Sequence, residues 1–345
     1  MNPLIRLVTA AILIVAWFVF SRVYSPENKL AKNDPVGNIR RREIVGAFKA
    51  MAFFCLLWFV ASTVVIFIFG LVIAIVAPPN QRGFADAFSE VINSSSGFSG
   101  PLNPFSLWGA VATLVATVAA VWISQRVARG QSFLKLGLQP NREMPLDLLL
   151  GLILGPLLFA IIFQAESLLG YLAGSTGPHY DWGSLFQWLV IFLCIAISEE
   201  LVVRGYFLQI TNQVWGGAIA VIATSVGWSL AHVLNPHISV LAVMNVVIAG
   251  LVFAYAYNIT GRLWLPMAFH FSWNFAEGAI FGYPVSGYTI DNSVFQTFIN
   301  GPQEVTGGLF GPEGGMLGLF AIILAGLAFY AWDRLRRPPQ TDKEV

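Results

Sequence analysis

Two adjacent glutamates and an arginine stand inside an otherwise apolar run, "IAISEELVVRGYF", Ile195 to Phe207. At about 100° per residue, Glu200 and Arg204 are i,i+4 neighbours on one helical face, spaced for an ion pair, while Glu199 projects elsewhere. The spacing therefore gives the two glutamates different fates. Glu200 is neutralised by Arg204, and Glu199, left without a local partner, becomes the candidate functional acid. A carboxylate held in a low-dielectric site is suited to taking and returning a proton in a reaction.

Two further patterns carry polar groups into apolar runs: "WSLAH", Trp228 to His232, and "HFSWN", His270 to Asn274. His270 and Asn274 share a helical face, and Glu277 at i+7 continues the stripe. A carboxylate, two imidazoles and a carboxamide on three runs supply a base, its orienting partner and donors for a developing oxyanion, the groups that hydrolysis of an acyl bond needs. Glu199, His232 and His270 could equally be three ligands of an open zinc site, although no His-Glu-x-x-His helix is present. The bland alternatives are a polar knot tying helices together and single histidines that bond helix to helix. The high cost of charge in hydrocarbon favours a functional site over the knot.

The elements that must position these groups follow from hydropathy. Hydrophobic residues make up 57% of the 345 residues and charged residues 11%, with a mean hydropathy of +0.71, which indicates an integral membrane protein. Runs long enough to cross about 30 Å of hydrocarbon lie near Leu4 to Tyr24, Ala50 to Ala77, Leu107 to Ser124, Leu146 to Ala173, Ser184 to Ile210, Gly216 to Leu234, Ile238 to Asn258, Leu263 to Tyr283 and Gly315 to Trp332. The expectation is an all-α polytopic membrane protein of about nine transmembrane helices. Breaks such as "APPNQRG" and "NITGRL" carry the Pro, Gly and Asn that end helices. The first run lacks a small-x-small cleavage site and reads as an uncleaved anchor.

Basic residues set the orientation, because Lys and Arg are retained on the cytoplasmic side. Seven lie between Ser21 and Lys49, four between Gln125 and Pro145, and four after Trp332; Arg204 and Arg262 fall on the same side, leaving only Arg6 and Arg82 of the 19 opposite. An odd number of crossings, with the N-terminus outside and the C-terminus cytoplasmic, satisfies this split. The loops Pro78 to Ser106 and Pro284 to Gly314 are rich in Gly, Ser and Pro and read as outer loops without a soluble domain.

Other polar positions receive plain readings. Cys55 and Cys194 lack metal spacing and read as small apolar residues. Glu166 fits a shared cavity, an interhelical hydrogen bond or a protonated acid, and His179 and His237 sit at span ends beside Pro with no motif neighbour. One geometric difficulty arises: at about 1.5 Å per residue, His232 falls near the outer end of its run and His270 nearer the inner end of its own. The sixth run must be tilted, broken near Gly216 and Gly217, or extended past Pro236.

Together, "EELVVR", "WSLAH" and "HFSWN" resemble the CPBP or Abi group of intramembrane proteases, which includes the CaaX prenyl endopeptidases and shows Glu-Glu-x-x-x-Arg, Phe-x-x-x-His and His-x-x-x-Asn in that order. Two motifs match in full; in the second, Trp228 stands where the family usually has Phe. "LKLGLQP" and "FGYPVSG" also look like bacterial members, so the resemblance covers roughly Phe133 to Gly287 and implies a bacterial inner-membrane protein. It divides the chain into an N-terminal three-helix region with a basic cytoplasmic loop (1–132), a CPBP-like catalytic core (133–287), and an outer loop, last helix and basic tail (288–345).

The resemblance implies an intramembrane endopeptidase in which Glu199, assisted by His232, activates water, His270 and Asn274 stabilise the oxyanion, and Glu200 and Arg204 support them. Its partners would be a membrane-embedded or lipidated protein or peptide substrate and the bilayer, with no nucleic acid. Members are described both as metalloproteases and as glutamate-dependent proteases; no obligatory cofactor is expected, with zinc the one alternative. Rival readings are a proton-coupled transporter and a membrane scaffold or immunity factor. Substrate, prenyl dependence and oligomeric state stay open.

Overall fold

The structure is a computed structural model that describes residues 35–76, 106–176 and 181–336. The expected first span, His179 and all but the end of the first outer loop lie outside these residues. The described chain is helical apart from one two-stranded sheet. Among the described residues, six helices are long and apolar enough to cross a membrane, so the protein is a polytopic helical membrane protein.

One compact unit comprises residues 35–138 and 186–220 as far as they are described. Helix α1, Pro35–Val76, is 42 residues long and starts well before the expected Ala50, absorbing Arg40 to Arg42 into the helix. Proline at its first position loses no intrahelical hydrogen bond there. Helix α2, Leu107–Val127, begins where the Ser106 hydroxyl accepts from the Gly109 amide. Its residues Ala112, Ala116, Ala120 and Ser124 recur every fourth position and are buried, the small-residue stripe that lets helices approach closely in lipid. Trp58 Nε1 donates to Thr117 Oγ1 at 3.0 Å, tying α1 to α2. The Tyr206 hydroxyl donates to the Ala50 carbonyl at 3.1 Å and bonds Ser124 Oγ.

The fifth expected span is one continuous helical stretch of 34 residues, Trp182–Trp215. It comprises α4 (Trp182–Glu200), a π turn (Leu201–Phe207) and α5 (Leu208–Trp215). The Asp181 carboxylate starts it, accepting from the Ser184 amide at 2.8 Å and the Ser184 hydroxyl at 3.1 Å. These bonds, the amide first, hold that carboxyl below the usual carboxylate range. Gly216, at φ +86, ends α5, and α6 follows as Gly217–His232. The sixth run is therefore broken at Gly216, and at 16 residues α6 reaches only about 24 Å.

The second unit comprises residues 139–185 and 221–336 as far as they are described. It contains α3 (Met144–Leu168), α7 (Val240–Thr260), α8 (Trp264–Asn274) continued by a second π turn (Phe275–Ile280), and α10 (Met316–Arg336). Strand β1, Leu172–Thr176, pairs antiparallel with β2, Gln296–Ile299, opposing Leu172 to Ile299 and Thr176 to Gln296. The all-helix expectation misses this sheet. The fourth helix stops at Leu168 rather than Ala173, with Gly170 at φ +73 turning the chain, and "LAGST" is too short and small to show a strand period.

The expected outer loop 284–314 is ordered: it holds β2, a single helical turn α9 (Gln303–Thr306) and two 3-10 turns. Asn245 Nδ2 on α7 donates at 2.9 Å to the carbonyls of both Glu313 and Gly315. At the start of α3, Asp147 accepts from Trp332 Nε1 at 3.0 Å and from Arg336 at 2.7 Å, while Glu143 takes Arg262 at 2.6 Å and also Arg336.

Helices α3 and α8 pack backbone to backbone through Gly151 and Gly155, one turn apart. A Cβ at Gly151 would sit 2.7 Å from both Ala268 Cβ and the Phe269 nitrogen, and one at Gly155 would sit 2.3 Å from Ser272 Oγ and 2.6 Å from the Trp273 nitrogen. Ser272 Oγ crosses the same seam to the Gly151 carbonyl at 2.7 Å. Gly155→Ala is expected to lower stability in micelles by about 1–3 kcal/mol through overpacking. Gly46→Ala, with nothing within 4 Å of the added carbon, should instead stabilise α1 by about 0.5–1 kcal/mol. Denaturant unfolding of both variants checks this, and equal shifts would show that the seam tolerates a methyl group.

Candidate active site

The winding of the chain changes directly after the paired glutamates. In the π turn Leu201–Phe207, hydrogen bonds run i to i+5 rather than i to i+4, and such turns recur at functional sites. The wider turn draws residues five apart toward a common face. Arg204 is four residues from Glu200 and five from Glu199. Its Nη1 lies 2.7 Å from Glu200 Oε1, with both side chains buried, as the spacing predicts. Arg204 also lies within the electrostatic reach of Glu199. The expectation that Glu199 has no local partner therefore fails. Glu199 is half-buried, whereas Glu200 is fully buried.

Within the second unit, α6 ends at His232, whose Nδ1 lies 2.8 Å from the Trp228 carbonyl. A carbonyl only accepts, so Nδ1 carries the proton in this contact, which leaves Nε2 as the acceptor of the neutral tautomer. The Trp228 ring meets His232 at 5.2 Å and 79° and His270 at 5.9 Å and 77°. Phe253 of α7 touches both Trp228 and His270, at 5.7 and 5.2 Å. Edge-to-face pairs of this kind contribute about 0.5–1.5 kcal/mol each beyond area burial. The expected separation of the histidines is not found, since both reach the same indole. On α8, His270 and Asn274 are both buried, one turn apart on one face.

The second π turn begins immediately after Asn274 and carries Glu277, which is fully buried. Next to Asn274, the Trp273 indole donates to Glu313 Oε1 at 3.0 Å, and Glu313 Oε2 accepts from Ser286 Oγ at 2.5 Å. Sequence reasoning passes over Glu313, which sits in a Gly-rich stretch with no helical period to place it. Glu166 of α3 accepts from the hydroxyl of Tyr283, which lies past the end of the second π turn, at 2.5 Å, a hydrogen bond from helix to loop rather than between helices. His237 is exposed with φ 57. Cys194 is buried beside Ala110 and Ile191.

Among the described residues, no three His, Cys, Asp or Glu side chains are grouped to hold a metal ion.

The fold is that of a helical membrane protein with buried ionisable groups. Residues 181–276 match the family model described as Rce1-like, Type II CAAX prenyl endopeptidase. Through that segment the chain is similar to the CAAX prenyl endopeptidases. The segment contains all three motifs and is narrower than the 133–287 resemblance. No curated protein and no solved structure matches the chain.

Removing one partner of a buried pair strands the other charge. Arg204→Met is expected to destabilise the protein by about 3–5 kcal/mol, while Glu200→Gln with Arg204→Met should lose markedly less. Unfolding in micelles measures both, and equal losses would mean that the pair does not act as a unit.

Proposed function

We propose that the protein is an intramembrane endopeptidase that cuts a peptide bond in a membrane-embedded or lipidated protein or peptide. The observation that carries this reading is the family match over 181–276, which takes in the paired glutamates, both histidines and Asn274. In it, Glu199 is the base that removes a proton from the attacking water, and His232, with its lone pair on Nε2, accepts a hydrogen bond from that water. His270 and Asn274 donate to the oxygen of the tetrahedral intermediate, where preorganised donors stabilise developing charge most. Glu200 and Arg204 cancel one another and leave a single carboxylate for the chemistry. The proton taken by Glu199 then passes to the leaving amine.

The same reading gives nine crossings in a bacterial inner membrane, with the N-terminus outside and the C-terminus in the cytoplasm, supported by the distribution of Lys and Arg. A green fluorescent protein fused after Val345 should fluoresce. A periplasmic alkaline phosphatase fused at the same point should stay inactive, and the reverse pattern would invert the topology.

Glu199→Gln keeps the shape of the side chain and removes the base. Peptide-terminus profiling of membranes should show termini that depend on the wild-type chain, that fall by about 10²–10⁴-fold in Glu199→Gln, and that persist in the exposed-site control Glu304→Gln. Identical termini in wild type and a properly inserted Glu199→Gln would sink the protease reading.

A further inference from the structure

We propose that Trp228 is the positioning residue for both histidines of the site, a proposal that rests on reading His232 and His270 as site residues. The indole is nearly perpendicular to both imidazoles, at 79° and 77°, and only 9% exposed. It reaches His232 on its own helix, one turn further on, and His270 on α8, so one rigid ring sets the angle between groups from two helices. Phe253 closes the cluster from α7 against Trp228 and His270. Each imidazole therefore has an aromatic wall that limits its rotation about χ2, a torsion that is otherwise broad.

The Trp228 carbonyl adds a second hold on His232. Its 2.8 Å contact with Nδ1 selects one tautomer, but only while the ring stays in the orientation that the indole imposes. Substitution at 228 keeps the carbonyl and removes the indole, so it isolates the contribution of the ring. An aliphatic side chain at this position would fill space without a flat wall. Phenylalanine would keep a wall of smaller reach.

The test is a comparison of Trp228→Leu and Trp228→Phe with the wild-type chain, in micelles, by imidazole ¹⁵N NMR and by cleavage kinetics. His232 and His270 are assigned by replacing one histidine at a time. In the wild type, His232 should show a proton on Nδ1 alone. In Trp228→Leu, the ¹⁵N shifts of both imidazoles should move, with His232 becoming a mixture of tautomers, and kcat should fall about 10²-fold with KM nearly unchanged. Trp228→Phe should restore the His232 tautomer and most of kcat.

Unchanged imidazole shifts in a folded Trp228→Leu protein would overturn the proposal, as would movement at His232 alone. Should Trp228→Leu fail to fold, Trp228→Phe carries the comparison: a smaller shift of both imidazoles in the same sense supports the clamp, and no shift at either overturns it. The NMR arm needs no substrate. A wild-type chain that cleaves nothing would end the protease reading while leaving the positioning of the two histidines decided.

Discussion

The close approach of α3 and α8 sets the geometry of the second unit. Lipid tails are as apolar as leucine, so helices in a membrane are not driven together by the hydrophobic effect and depend on contact and interhelical hydrogen bonds. Gly151 and Gly155 let α3 meet α8 at backbone distance, and Ser272 bonds across the seam at 2.7 Å. Because α8 carries His270 and Asn274, their height and rotation are inherited from that seam. The Trp273 indole is held by Glu313, and Glu313's own carbonyl is held by Asn245 of α7. This helix, continued by the second π turn, is thus fixed by its neighbours.

The segment 284–314 belongs to this argument. It looks like an exposed loop because Gly and Pro interrupt every period. Those residues are what allow it to be compact: Gly311 at φ +99 lies where a Cβ would be 2.0 Å from the Pro284 carbonyl. Backbone amides and carbonyls that a water-exposed loop would leave to solvent are instead satisfied internally, as in the Gly287 amide to the Phe310 carbonyl at 2.8 Å. The strand pair has the same origin, since β1 and β2 join the end of α3 to this segment.

Much of the fold is legible in the sequence because hydropathy reports directly on lipid exposure. The second to fifth, the seventh and the ninth expected runs are long apolar helices. The sixth and eighth are helical but short as α-helices, the sixth starting after Gly216 and the eighth passing into the second π turn, local features that a 20-residue window averages away. In the candidate site, the motifs name the polar residues because spacing of three or four places them on common faces, and Glu200 with Arg204 and His270 with Asn274 lie as that spacing requires. What spacing could not supply is contact between distant segments: Glu313 against Trp273, Tyr283 against Glu166, and the shared indole of Trp228. None has a sequence period, since each depends on how separate helices pack.

The π turns explain where the helical arithmetic itself fails. A π turn is rarer than an α turn because its hydrogen bonds and packing are poorer, so its presence after both the paired glutamates and Asn274 calls for a local cause. At Glu199 and Glu200 the cause is charge. Two carboxylates and one guanidinium leave a net negative charge in a partly desolvated site, where like charges repel more strongly than in water. An α turn would direct Arg204 to Glu200 alone and leave Glu199 to face its neighbour's field. In the turn as built, the guanidinium makes the short contact with Glu200 and lies within the electrostatic reach of Glu199. One guanidinium thus offsets the cost of carrying two carboxylates in an apolar helix, Glu200 fully buried and Glu199 half-buried.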